Sequence, residues 1–195
     1  MQLEINVIDA FTDTVFKGNS AAVIITESWL SEKLMQSIAF ENNLSETAFI
    51  VLDNKGTYHI HWFSPFTEID FCGHATLASA FVLFKKTPTL TSIKFSAKAV
   101  GILTVEQTDD GKIQMDFPNT KPERVTDIPY SLLARLSIAP VEVYKNSQAY
   151  FVIYDSESDV LSVERDNDAL KQLAPLDVVV TCHAKSADYK DYDCI

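Results

Sequence analysis

Residues 73–86 read GHATLASAFVLFKK, and where this segment sits decides what fold the chain can adopt. From Ala75 to Phe84 the run is apolar on nearly every side of a 3.6-residue helix, the pattern of a helix enclosed by protein. Lys85 and Lys86 suit the negative C-terminal end of such a helix, and Pro88 prevents its continuation. The spacing therefore predicts a central helix, which needs a sheet wrapped around it.

The flanking sequence supplies the strands. Upstream, residues 3–7 (LEINV) alternate apolar and polar and predict a half-buried strand, with Leu3, Ile5 and Val7 inward. Residues 11–20 (FTDTVFKGNS) form a loop that turns at Gly18-Asn19, and residues 21–26 (AAVIIT) form a strand buried on both faces. A helix follows, capped by Ser31, with Leu30, Leu34 and Ile38 on its inner face and Asn42-Asn43 at its end. Residues 47–52 (TAFIVL) and 58–64 (YHIHWFS) are the next strands. In the second, Tyr58, Ile60 and Trp62 share one face and His59 and His61 the other. Downstream, strands are expected at 92–97, 102–107 and 112–117, the last two joined by the hairpin turn Asp109-Asp110-Gly111.

Residues 118–129 (PNTKPERVTDIP) carry three prolines and mark a linker. The organisation expected is a first domain at 1–118, a linker at 119–129 and a second unit at 130–195. That unit has a short helix at 131–136, strands at 141–145 and 150–154, a helix near 166–174 and a strand at 177–183. Strand, strand, helix, strand occurs in both units, an internal repeat. By that count the chain ends inside the strand that should precede a second central helix.

Composition narrows the function. Hydrophobic residues make up 47% and aromatics 11% of the 195, against disorder. No apolar run reaches the ~20 residues of a membrane span, and the first ten residues lack a signal-peptide pattern. A cytoplasmic location is expected. The net charge of −11 would repel phosphate backbones, so nucleic acid is not an expected partner. The three cysteines (Cys72, Cys182, Cys194) are far apart, without CxxC spacing, against a disulfide framework or structural zinc.

Two segments hold candidate chemistry. Residues 43–47 (NLSET) place Glu46 at a helix-to-strand junction, where partial desolvation would raise its pKa toward general acid–base use. The plainer alternative is a solvated Glu, or one accepting bonds from a nearby turn. Residues 72–76 (CGHAT) open the central helix, where free N–H groups and the macrodipole suit a substrate carboxylate. Gly73 would let a ligand approach the backbone closely. Cys72 would have a lowered pKa there and could act as nucleophile or base; a buried structural Cys is the alternative. His59 and His61, two apart without a third ligand, are expected to be solvent-facing strand residues and no metal site.

Taken together, residues 9–23 (DAFTDTVFKGNSAAV), 43–49 (NLSETAF) and 62–80 (WFSPFTEIDFCGHATLASA) resemble the PhzF-like family, named for an isomerase of phenazine biosynthesis. They occur in the family's order and spacing and cover much of the first 85 residues. The stretch at 177–193 resembles its second-domain segment. The resemblance implies an α+β, diaminopimelate epimerase-like fold. It has two pseudo-symmetric domains, each a mostly antiparallel barrel-like sheet around a central helix, with the active site between them. It implies proton-moving isomerisation of a small carboxylate-bearing substrate without metal or organic cofactor. A homodimer is expected on a separate ground: an unfinished second unit would expose apolar strand faces at Val178–Val180 unless a partner chain covers them.

By position, Glu46 matches the family's acid–base glutamate and His74 its active-site histidine. Gly73 and His74 would supply backbone donors to the substrate carboxylate, and Asn19 falls in the family's GNP-type turn, where this chain has Ser20 in place of proline. The family's second domain continues to a DPxTGS-like motif whose Asp and Ser complete the site. This sequence has none, so a truncated second domain and a catalytically silent chain are expected. Two alternatives stand beside the isomerase. One is a two-thiol racemase or epimerase using Cys72, although Cys182 and Cys194 lack the context of a second thiol. The other is a small-molecule binder without catalysis.

Overall fold

The computed structural model describes residues 2–117 and 119–186, and the chain forms two compact units, Met1–Phe117 and Pro118–Ile195. In the first, the strands are β1 (Asn6–Ala10), β2 (Asn19–Thr26), β3 (Glu46–Leu52), β4 (Tyr58–Phe63), β5 (Glu68–Ile69), β6 (Ser92–Ala97), β7 (Gly101–Gln107) and β8 (Ile113–Met115). Helix α1 (Glu32–Asn42) connects β2 to β3, and α2 (Gly73–Lys86) lies between β5 and β6. The sheet runs β1-β2-β3-β4-β6-β7-β8, with β5 paired to β4. Only β2/β3 and β4/β6 pair in parallel, the two places where a helix carries the chain back.

The sheet encloses α2 through a period-two pattern. Ala21 and Val23, Ala48 and Ile50, Ile60 and Trp62, Ile93 and Phe95, and Leu103 and Val105 all enter one core with the buried face of α2. Each large side chain buried there contributes ~1.5–3 kcal/mol. Thr76 and Ser79 fit inside because their hydroxyls donate to Cys72 O and Ala75 O, each at 2.6 Å. On the other sheet face, Ile24, Phe49 and Phe63 pack against Met35 and Ala39 of α1. Strand β2 is thus covered on both sides, as expected.

Two readings of facing need correction. The first strand starts at Asn6, and Ile5 and Val7 are 43% and 59% exposed. Ile8 and Ala10 turn inward instead, because the register sets Ile8 opposite Ala21, whose side chain is in the α2 core. In α1, Leu34 is exposed and Met35 and Ala39 are buried, with Leu30 and Ile38 only flanking them. The cap is as expected: Ser31 Oγ accepts from Leu34 N, and Asn43 closes the helix at φ 51°. The hairpin also forms, with Gln107 opposite Ile113 and Gly111 at φ 83°.

The second unit contains β9 (Glu123–Arg124), α3 (Tyr130–Leu133), β10 (Glu142–Lys145), β11 (Ala149–Ile153), α4 (Glu157–Ser162), α5 (Asn167–Leu170), a 3₁₀ turn (Lys171–Leu173) and β12 (Asp177–Thr181). The sheet order is β12-β11-β10-β9. The stretch read as linker contributes β9, and Val125 and Ile128 pack against this unit's core. Helix α4 was not anticipated, although Ser156-Glu157-Ser158-Asp159 is a capping pattern: Ser156 Oγ accepts from Asp159 N. The repeat shows in the pairing. β1/β2 and β10/β11 are antiparallel, and β2/β3 and β11/β12 are parallel. The expected stop within a strand, and Cys194, lie outside the described residues. No described helix is long and apolar enough to cross a membrane.

Candidate active site

The site is built where three chain segments of the first unit meet. Asn43 turns the chain out of α1, so that β3 begins at Glu46. Parallel pairing of β2 with β3 sets Glu46 opposite Ala21, beside Asn19 and Ser20 at the start of β2. The start of α2 brings Cys72, Gly73 and His74 to the same place. Ser45 joins the pieces: its Oγ is 3.3 Å from Asn19 Oδ1, 3.3 Å from Ser20 O and 3.4 Å from His74 Nε2.

At the centre, His74 Nε2 lies 3.1 Å from Glu46 Oε2, with side-chain exposures of 11% and 18%. That is ion-pair distance if the imidazole is protonated, while the alignment falls short of a full hydrogen bond to Oε2. Attraction needs proximity alone, so the short distance governs the electrostatics of the pair. On the far side of the ring, Cys72 Sγ lies 3.3 Å from His74 Nδ1. The three side chains form one cluster, in which the Glu46 carboxylate also lies within reach of the Cys72 thiol.

Both expected pKa shifts are reversed. Glu46 is lowered from its ordinary value, because the adjacent His74 ring outweighs burial, which acts to raise it, and the Ser45 hydroxyl adds to the lowering. Cys72 is pushed up to about 12, first by burial and further by the Glu46 carboxylate, against the lowering by the N–H groups of Ala75 and His74. The helix terminus does act on the thiol, but desolvation dominates. Gly73 packs closely against Phe117: a Cβ there would stand 2.9 Å from Phe117 Cε1.

Asn19 is placed at the site through Ser45, and Ser20 donates its hydroxyl to Asp9. Asp9 also accepts from Phe16 N at 2.7 Å, so it closes the loop between β1 and β2. Those donors hold the Asp9 pKa down. Gly18 is required there, since a Cβ would lie 2.3 Å from Ala10 O. Asp9 and Ser45 were given no role from sequence, although both lie within the segments that carry the resemblance. His59 and His61 stay apart from the site: each has its own carboxylate, Asp53 at 3.0 Å and Glu68 at 2.5 Å. Cys182 is enclosed in the core of the second unit. Glu46, Cys72 and His74 each offer a donor atom within 4.8 Å of the others, a spacing that a divalent cation could bridge.

The family whose model matches residues 8–194 is described as phenazine biosynthesis-like protein. A Pseudomonas aeruginosa protein named an uncharacterized isomerase is 41% identical over 189 residues, covering 97% of this chain and 71% of that protein. One of the same naming from Halalkalibacterium halodurans is 38% identical over 191 residues, with 97% and 71% covered. The crystal structure of a PhzF-family protein from Enterococcus faecalis superposes with a TM-score of 0.83 at 39% identity, covering all of this chain and 72% of that one.

Proposed function

The chain belongs to the phenazine biosynthesis-like, or PhzF-like, family, and from that membership we propose that it is an isomerase moving a proton on a small carboxylate-bearing substrate, with Glu46 carrying the proton. The observation behind this reading is the state of Glu46. Its lowered pKa keeps it a carboxylate at neutral pH, and its inner oxygen lies 3.1 Å from His74 Nε2 in a largely enclosed site. A carboxylate kept charged in an enclosed site, against an imidazole, is placed to accept a proton and return it.

In the first step a substrate C–H bond breaks, the proton forms an O–H bond on Glu46, and the electron pair enters the conjugated system next to the carboxylate. In the second, that pair forms a C–H bond at another carbon with the proton from Glu46. The reaction is redox-neutral, so its balance needs no electron carrier. His74 steadies Glu46 between the steps, and the start of α2 at Gly73 and His74, with Asn19 nearby, would orient the substrate carboxylate. Homodimerisation belongs to the same reading, supported by exposed apolar side chains such as Phe66 at 84%.

Cysteine-based epimerisation is less well supported, because burial holds Cys72 protonated. The deciding experiment incubates the chain with a panel of small unsaturated carboxylates in deuterated water, with NMR following double-bond migration and deuterium uptake. Migration by the wild type and its loss in Glu46→Gln would support the isomerase reading and overturn the expectation of a silent chain. Equal rates for both proteins would overturn the role of Glu46, and binding without any migration would favour a non-catalytic binder.

A further inference from the structure

We infer that Cys72 is a positioning residue: its S–H donates to Nδ1 of His74 and so holds the ring in the tautomer that presents a proton on Nε2 to Glu46. Its catalytic meaning rests on the function proposed above.

The argument is a count of protons against lone pairs. A neutral imidazole has one ring proton, and each nitrogen of His74 has a close neighbour. Nδ1 is 3.3 Å from Cys72 Sγ; Nε2 is 3.1 Å from Glu46 Oε2 and 3.4 Å from Ser45 Oγ. If the proton sits on Nδ1, the Nε2 lone pair faces a carboxylate oxygen, and acceptor meets acceptor in a site closed to most water. If it sits on Nε2, Nδ1 accepts from the thiol and Nε2–H faces Oε2, so both ring nitrogens meet a partner of the right kind. Ser45 need not supply Nε2, because its hydroxyl has Asn19 Oδ1 and Ser20 O within 3.3 Å.

This arrangement needs a thiol that keeps its proton. Burial of Cys72 provides that, and the nearby carboxylate reinforces it. A thiolate would draw the ring proton to Nδ1 and turn the bare Nε2 toward Glu46. The environment that unsuits Cys72 as a nucleophile is therefore the one that suits it as a donor. The Nε2–Oε2 contact falls short of full alignment in the free chain, a looseness common before substrate binds.

Histidine tautomers can be read directly. The full chain, labelled with ¹⁵N at histidine, is examined by long-range ¹H–¹⁵N correlation at neutral pH, with His74→Gln to assign the signals. The wild type should show His74 with an unprotonated Nδ1 and a protonated Nε2. Cys72→Ser keeps a donor and should keep that pattern, whereas Cys72→Ala should give a mixture of tautomers and a kcat lower by about 10–100-fold, the usual effect of losing a partner that orients a functional side chain. A protonated Nδ1 in the wild type, or an unchanged pattern in Cys72→Ala, overturns the inference. Should Cys72→Ala not fold, the wild-type and Cys72→Ser spectra still decide. The spectra involve no substrate, so their outcome is separate from that of the Glu46→Gln turnover test.

Discussion

His74 Nε2 stands 3.1 Å from Glu46 Oε2, although one residue is the second of α2 and the other the first of β3. The parallel pairing of β2 and β3 fixes Glu46 at the mouth of the sheet, and enclosure of α2 fixes His74 above it. A side chain at the end of a rigid strand and another at the end of a buried helix have little freedom to move apart. That rigidity suits acid–base chemistry, in which a displacement of about 1 Å can cost ~10²-fold.

Glu46→Gln preserves the shape of the side chain but cannot take up a proton. With a substrate that the wild type converts, kcat should fall by ~10²–10⁴, the usual worth of general acid–base catalysis. Circular dichroism should be unchanged. Near-normal turnover would remove Glu46 from the mechanism.

The pH profile should follow the lowered pKa of Glu46. A base must be unprotonated to act, so the acid limb of kcat/KM should lie below pH 4.5, the ordinary value for a glutamate. The same shift has a stability counterpart. The folded pKa is the lower one, so the associated stabilisation is present above 4.5 and is lost as the pH falls through the depressed value. An acid limb above 4.5 would mean that desolvation outweighs His74 after all.

Gly73→Ala should force the ring of Phe117 aside, because the new Cβ would lie 2.9 Å from Cε1. Overpacking of this kind costs ~1–3 kcal/mol, and the lower end is expected because Phe117 is 51% exposed and its ring can move. In a Phe117→Ala background the penalty should largely disappear. A full penalty in both backgrounds, measured by urea unfolding, would point to the backbone and not the ring.

Dialysis against EDTA should leave turnover unchanged, since the proposed proton transfer draws only on Glu46 and its neighbours. Added Zn²⁺ should inhibit, because Glu46, Cys72 and His74 can close on one ion. Activity lost to EDTA and restored by Zn²⁺ would replace this mechanism with a metal-assisted one.

Much of the fold was legible in the sequence because some signals are local. The bounds of α2, Gly73–Lys86, follow from an all-round apolar run with a proline two residues past its end. The β7–β8 hairpin follows from Asp-Gly at a position that adopts positive φ. The capping role of Ser31 is likewise local. The positions of Glu46 and His74 at element ends were equally readable, since each is marked by the segment that begins there.

What only the tertiary structure decided are the quantities that depend on partners distant in sequence. Val7 and Ile8 are both apolar and adjacent, so no local pattern says which faces inward; pairing with Ala21 chose Ile8. Sequence placed Glu46 in a partly dry spot and pointed to a raised pKa, but the neighbouring ring of His74 reversed the sign. For Cys72 the helix terminus pointed downward, and enclosure beneath the sheet reversed that as well. Which element forms is set largely by backbone preference and periodicity along a short stretch. The charge of a side chain is set by the balance of solvation against its nearest partners, and that balance exists only once the chain has folded.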